Sequence, residues 1–459
     1  MGEPTGHRIG GDETVSERRA RAALSVYRLM GTLAYPMLGP YVAYRAKRGK
    51  EDGARRRERY GEASSERPGD RPLVWVHAAS VGETAAVTPL VRAIAAEGIA
   101  ILMTTGTRTS AEIVEKRLAD CVIHQYVPLD VGASIARFLD HWRPDLALFA
   151  ESELWPVTIE ALGQRRIPQV LVNARLSDRS FDRWKRAHWF AEALLEHLAC
   201  VVAQSDVDAE RYRLLGAPSV TVAGNLKADT DPPACDEAAL SELAGAIGTR
   251  PVWGALSTHA GEEDAAATCH ITLKRRHEGL LTLIVPRHVE RGAEIAKSLS
   301  EIGLSVARRS LGEMPTARTD ILIGDTIGEM GLYLRLAPVA FLGKSLTGEG
   351  GQNPLEAAML GTAILSGRYV QNFRDVYQRL LRHEAAVIVR DEASLAQEVD
   401  HLLSNDERRA HMAGGAQIAL GEMRGALDRT MRALTPFINP MKLSMRLDRR
   451  GGLAPTSAG

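Results

Sequence analysis

Several loops in this sequence carry acids and bases that a packed core would not request. In "WVHAASVGE" (75–83) an apolar run breaks into small residues and ends on Glu83. "AESELWP" places Glu151, Ser152 and Glu153 behind a second apolar run, and "GNLKAD" places Lys227 behind a third. "VPRHVER" holds Pro286, Arg287 and His288. "GDTIGEM" holds Ile327, Gly328 and Glu329, and "GKSLTGEGGQNPLEAAMLG" holds Asn353, Pro354, Leu355 and Glu356. A carboxylate on such a loop can remove a proton from a hydroxyl. A lysine or arginine can stabilise negative charge as it develops. The glycines of "GEGGQNPLE" let backbone N–H groups face a phosphate at a helix start, and Glu356, one turn into that helix, could bind both ribose hydroxyls.

Each loop also has an ordinary reading. Glu83 could be a first-turn glutamate favoured by the helix dipole, Lys227 a solvated linker residue, and Arg287 a surface ion-pair partner. Glu151 and Glu153 could cap the helix that follows. His77, His124 and His141 lack metal-ligand spacing and are assigned structural roles; no metal or cofactor is expected.

The elements that must position these loops follow a strand–loop–helix rhythm from residue 73. Apolar, β-rich runs lie at 73–78, 101–107, 146–152, 169–175, 200–205 and 220–225. Amphipathic stretches separate them; in one, Val87, Leu90, Val91 and Ile94 share a face. Such alternation predicts a parallel sheet. "KADTDPPACDEAA" interrupts it with two prolines and four acids and predicts an interdomain linker. Further runs follow at 252–256, 280–286, 304–309, 321–326, 338–345 and 363–367, with helix to about 435 and a disordered tail. The fold class is therefore α/β, two Rossmann-like halves with a ligand cleft at the carboxyl ends of the strands.

A chain of 459 residues suits two domains. Lysine plus arginine equals aspartate plus glutamate, 57 each, which gives no electrostatic footprint for nucleic acid. Cys121, Cys200, Cys235 and Cys269 are widely spaced, against a zinc knuckle or disulfide frame. Near the N-terminus, Leu29 to Tyr44 is uncharged but shorter than the roughly 20 residues a spanning helix needs, and Pro36 and Pro40 would kink it. Arg45, Lys47, Arg48, Lys50, Arg55, Arg56, Arg57 and Arg59 follow. This apolar-then-basic order predicts association with an anionic membrane surface rather than a secretory signal; the alternative is an apolar helix packed on the first domain. The expected organisation is a polar lead (1–20), a membrane-associating segment (21–60), the first Rossmann-like domain (61–226), a linker (227–240), the second domain (241–420), a C-terminal helix (421–440) and a disordered tail (441–459).

Taken in order, "HAASVGE", "ESELWP", "NARLSDRSF", "NLKAD", "STHAGEE", "VPRHVER", "GDTIGEM" and "GEGGQNPLEAAMLG" resemble the 3-deoxy-D-manno-octulosonic acid (Kdo) transferases of lipopolysaccharide synthesis. That resemblance implies a GT-B fold whose C-terminal helix crosses back to the first half. It implies metal-independent, inverting transfer of Kdo from CMP-Kdo to a lipid A precursor (lipid IVA) at the cytoplasmic face of the inner membrane. By similarity Glu83 is the general base, and Glu151 and Lys227 stabilise the transition state. Pro286, Arg287, Ile327, Gly328, Glu329, Asn353, Pro354, Leu355 and Glu356 would bind CMP. The chain departs from the family pattern at Gln352, Val157, Val289 and Ala228, where histidine, asparagine, proline and phenylalanine are common. Competing readings are a sugar-nucleotide 2-epimerase on the same fold and a catalytically silent nucleotide-binding module.

Overall fold

The computed structural model describes residues 15–47, 51–69, 71–348 and 350–451. The polar lead at 1–14, Arg48, Lys50 and the tail at 452–459 lie outside the described residues. The chain forms two compact units, 1–230 with 425–459, and 231–424.

The first unit contains β1 (Leu73–Ala78), β2 (Ala100–Thr105), β3 (Ile123–Tyr126), β4 (Leu146–Ala150), β5 (Gln169–Ala174), β6 (Cys200–Ala203) and β7 (Val220–Val222). They form a parallel sheet in the order β3-β2-β1-β4-β5-β6-β7. Side chains alternate across a strand, and in β1 both faces are apolar, as a sheet covered on two sides requires. Val74, Val76 and Ala78 pack with Val87, Leu90, Val91 and Ile94 of the helix Val81–Ala96. Leu73 and Trp75 face the other way, where Trp75 meets Phe138 and Phe149 at ring-centroid distances of 4.7 and 5.3 Å. The strand order reverses between β1 and β4, so the loops after those two strands flank the crevice where open α/β sheets bind ligands.

The last helix, Ala426–Gly451, belongs to this first unit. Its Leu434, Ile438 and Met441 complete the core on the Val74 and Val76 face. The Asp229 carboxylate accepts the backbone N–H groups of Gly425 (2.8 Å) and Leu427 (2.6 Å), which fixes the start of that helix. It is helical to Gly451, well past the expected end at about 440.

The second unit contains β8 (Val252–Thr258), β9 (Leu281–Pro286), β10 (Val306–Arg308), β11 (Ile321–Ile323), β12 (Val339–Leu342), β13 (Ala363–Ser366) and β14 (Ala386–Ile388). Its order is β10-β11-β9-β8-β12-β13-β14, again parallel, with the reversal between β8 and β12. β14 lies where the sequence predicts helix. Glu384, at φ +52, breaks the helix before it, and the short run at 386–388 then pairs with β13. The passage between units is shorter than the expected 227–240: Leu226–Asp229 is a 3-10 turn of the first unit, and Asp236 caps a helix from Glu237.

Val15–Lys47 is one helix that continues through Pro36 and Pro40. Among the described residues no helix is long and apolar enough to cross a membrane. Leu24 of this helix packs with Ile159 and Leu194, and Tyr35 meets Tyr60 edge-on. Val26, Leu29, Met30, Leu33, Met37, Tyr41 and Tyr44 remain exposed, and their spacing places them along one side.

Among the described residues, part of the basic cluster turns inward rather than to solvent. Arg59 is buried, pairs with buried Glu51 at 2.9 Å, and donates to the carbonyls of Val127 (3.1 Å) and Gly106 (2.6 Å). Arg55 pairs with buried Glu58, which also accepts the Tyr126 N–H. Arg45 pairs with Glu51 at 2.8 Å, leaving Arg56 and Arg57 as the exposed arginines of 51–60. The acids interleaved in the run turn it inward. Removing one partner of a buried ion pair strands the other charge. Arg59→Ala is therefore expected to cost about 3–5 kcal/mol, measured as a lowered urea midpoint; an unchanged midpoint would contradict this role for the network.

Candidate active site

The site of the first unit is built at the ends of β1 and β4. Ser80 caps the helix Val81–Ala96, its hydroxyl accepting the Glu83 N–H at 3.3 Å. The Glu83 carboxylate reaches back: Oε2 accepts the Ala79 N–H at 2.8 Å and Oε1 accepts the Ser80 hydroxyl at 2.7 Å. Small residues allow this tight turn; a Cβ at Gly106 would lie 2.9 Å from the Ala79 carbonyl oxygen. Glu83 is thus a helix-capping glutamate and also a half-buried, oriented carboxylate at the sheet's switch point.

Glu151 follows β4 directly and holds φ +54, a conformation L side chains rarely adopt. Its N–H donates to the Val172 carbonyl at 3.0 Å, and its Oε1 accepts Lys227 Nζ at 2.8 Å. Both side chains of that pair are less than a fifth exposed, at 17% and 18%. Asn173 of β5 positions the lysine: its Oδ1 accepts the Leu226 N–H at 2.9 Å, while Asn225 Oδ1 accepts the Lys227 N–H at 3.0 Å. Glu151 and Lys227, 76 residues apart, therefore meet as one ion pair.

Two neighbours, which the sequence reading names only as a possible helix cap and a structural histidine, also stand at this site. Glu153 accepts the Trp155 indole N–H at 2.8 Å and lies 3.8 Å from Nε2 of His77. His77 is fully buried in β1; its Nδ1 lies 3.1 Å from the Thr104 carbonyl and 3.0 Å from the Thr104 hydroxyl. Its Nε2 and Nδ2 of buried Asn173 have no hydrogen-bond partner among the described residues. No sequence pattern displays such orphaned polar atoms.

Burial above all pushes the Glu83 carboxyl above its ordinary pKa; the Ser80 hydroxyl opposes the shift, and the negative charges of Glu153 and Glu151 reinforce it. A base of raised pKa accepts a proton more readily near neutral pH. The sign follows for activity. If Glu83 is the general base that the family resemblance implies, activity requires it ionised, and the acid limb of kcat/KM should lie above the ordinary glutamate range. In Glu153→Gln one repelling charge is gone, and that limb should move to lower pH; a limb that stays put or rises would remove Glu153 from this role.

In the second unit, Pro286 closes β9 and the Arg287 N–H donates to the Thr258 carbonyl at 3.0 Å, with the guanidinium side exposed. Ile327 is 71% exposed and Gly328 holds φ +88. Burial disfavours ionised Glu329, yet its pairing with Arg309 (3.1 Å) and bonds from Thr326 and Tyr333 outweigh that and hold its carboxyl below the ordinary value. That carboxylate is committed to shaping its loop. Asn353 Oδ1 accepts the Leu355 N–H at 3.3 Å, and Pro354 precedes the short helix Leu355–Met359. Glu356 is the second residue of that helix, closer to its start than the expected full turn. Gly350 holds φ +119, a conformation that L side chains rarely adopt.

Of the departures from the family pattern, Gln352 faces a ring nitrogen of His259 at 3.4 Å, while Val157 and Ala228 are buried packing residues. Among the described residues no group of three or more histidine, cysteine or acidic side chains is arranged to hold a metal ion.

The family model described as 3-deoxy-D-manno-octulosonic-acid transferase (kdotransferase) matches residues 54–230. A 3-deoxy-D-manno-octulosonic acid transferase of Haemophilus influenzae is 35% identical over 389 residues, covering 83% of this chain and 90% of its own. One from Bordetella pertussis is 36% identical over 396 residues, covering 83% and 91%. Among solved structures, a glycosyltransferase from Rickettsia africae superposes with TM-score 0.56 at 12% identity, covering 81% of this chain and 99% of that one. A putative UDP-N-acetylglucosamine 2-epimerase from Listeria monocytogenes gives 0.53 at 15%, covering 80% and 96%. These two likenesses show the fold, two Rossmann-like units of the GT-B type. At the identities shared with the transferases, sustained over most of both lengths, the chain belongs to the 3-deoxy-D-manno-octulosonic acid (Kdo) transferase family and is a glycosyltransferase.

Proposed function

We propose that the protein transfers Kdo from CMP-Kdo to a lipid A precursor with inversion at the anomeric carbon. The observation that carries this reading is the grouping of Glu83 with the Glu151–Lys227 pair at the switch point of the first sheet, in a chain of this family. Glu83 takes the proton of the acceptor hydroxyl as its oxygen bonds to the anomeric carbon. The C–O bond to phosphate breaks on the opposite face, and the electron pair leaves with cytidylate. The sugar passes through oxocarbenium character, and fixed charges best stabilise what develops only then. Lys227, held by Glu151, serves the acceptor side.

On the donor side, Pro286 with Arg287, residues 327–329 and residues 353–356 would hold CMP, the exposed guanidinium of Arg287 meeting the phosphate. The exposed apolar side of the helix Val15–Lys47 would lie in the interface of the inner membrane's cytoplasmic leaflet, where an amphipathic acceptor is met without extraction. Sedimentation with anionic vesicles checks this placement, and protein left in the supernatant would refute it.

The decisive experiment incubates the purified protein with CMP-Kdo and lipid IVA and weighs the lipid by mass spectrometry. The expected product is heavier by one or more Kdo units, with an equal release of CMP and the opposite anomeric configuration by NMR. CMP release without a heavier lipid would overturn the acceptor; no release at all would overturn the reaction.

A further inference from the structure

The strand order of the second sheet reverses between β8 and β12, so the loops leaving those strands flank its ligand crevice. One loop carries His259 and the other Lys344. A single buried carboxylate joins them. Glu262 Oε2 accepts the N–H groups of His259 (2.9 Å) and Lys344 (2.7 Å), and its Oε1 accepts those of Ser345 (2.9 Å) and Leu346 (3.0 Å).

Lys344 is held there at φ +56, in the left-handed region that glycine enters freely and other residues resist. Glycine would satisfy this backbone better, yet the position carries a long cation. Lys344 is half-buried and makes no ion pair among the described residues. Beside it, the His259 ring meets that of His288 edge-on at 5.7 Å, and Gln352 Nε2 lies 3.4 Å from His259 Nε2. Burial first, then the positive charge of Lys344, pushes His259 below its ordinary pKa against the pull of Glu262. The ring is therefore neutral at neutral pH, and Lys344 is the fixed charge of the group. Gln352 immediately precedes the 353–356 segment. A strained cation with no ion-pair partner among the described residues, set at a switch point, is what an anionic ligand would explain.

We propose that Lys344, with His259 and Gln352 beside it, forms an oxyanion subsite of the second unit that takes a negatively charged group of the sugar-nucleotide donor. The proposal rests on the CMP-Kdo reading, which supplies two such groups, the phosphate and the sugar-acid carboxylate. Lys344→Gly is the informative variant, because it removes the charge while relaxing the backbone; its melting temperature should match or exceed the wild type.

Affinities are measured for cytidine and CMP, and KM for CMP-Kdo. A phosphate ligand predicts about tenfold weaker CMP and CMP-Kdo with cytidine unchanged. A carboxylate ligand predicts the same loss for CMP-Kdo alone. In both cases Lys344→Arg should recover most of the loss, and the loss should shrink at high salt. CMP and CMP-Kdo both within twofold of wild type would overturn the subsite, as would an equal loss for cytidine. If the wild type itself binds neither CMP nor CMP-Kdo, the nucleotide reading fails, separately from the role of Lys344.

Discussion

Glu83→Gln is expected to lower kcat by about 10²–10⁴-fold, the range a positioned general base supplies. CMP affinity should stay within twofold of wild type, because the residues proposed to hold the nucleotide belong to the other compact unit. The substitution is chosen for its shape. A carboxamide oxygen can still accept the Ala79 N–H and keep the start of the helix Val81–Ala96 in place, so the melting temperature should barely move. Glu83→Ala would remove the base and both of its cap bonds together, confusing the two roles. A rate loss matched by an equal loss of CMP binding would show that Glu83 is structural.

The second large effect concerns Lys227. Lys227→Met should lower kcat by about 10²–10³-fold, as loss of one preorganised charge typically does. The half-buried Glu151 carboxylate then loses its cation, so some of the loss could reflect that stranded charge rather than chemistry. The double variant Glu151→Gln/Lys227→Met separates the contributions. If the pair only neutralises itself, the double variant recovers activity relative to Lys227→Met. If Lys227 acts on the transition state, the double variant stays at least as slow, and the cycle returns a coupling energy well below the single-variant loss. Recovery to near wild type would refute the catalytic assignment.

Much of this arrangement was legible in the chain. The strand before Glu83 is announced by a largely apolar run, broken only by His77, and the small residues after it by the need for a tight turn. What one-dimensional reading could not supply was partnership. Glu151 and Lys227 stand on loops far apart in sequence, and only the lateral order of the strands and the Asn173 bond to the Leu226 amide bring them together. β3 escaped notice because "IHQY" mixes polar residues into a four-residue strand, and β14 because three residues between helices show no period. Arg55 and Arg59 were misjudged for a different reason. A run of arginines resembles a solvated patch unless the interleaved Glu51 and Glu58 are read as buried partners. The structural reading of His77 follows from spacing alone, and its burial against Glu153 could not be foreseen from that spacing.

The clamp at Asp229 bears on how the chain is made. Residues 231–424 form a unit inserted within another, and the last wall of the host's core, Leu434, Ile438 and Met441, is synthesised only after the whole insert. The inserted unit has all of its strands before that moment and can fold first, since domains fold as units during synthesis. Until then the face formed by Val74 and Val76 has the helix Val81–Ala96 on it but lacks the last helix. A stop codon just before Ala426 would therefore spare the insert and leave the earlier-made host as the aggregating species.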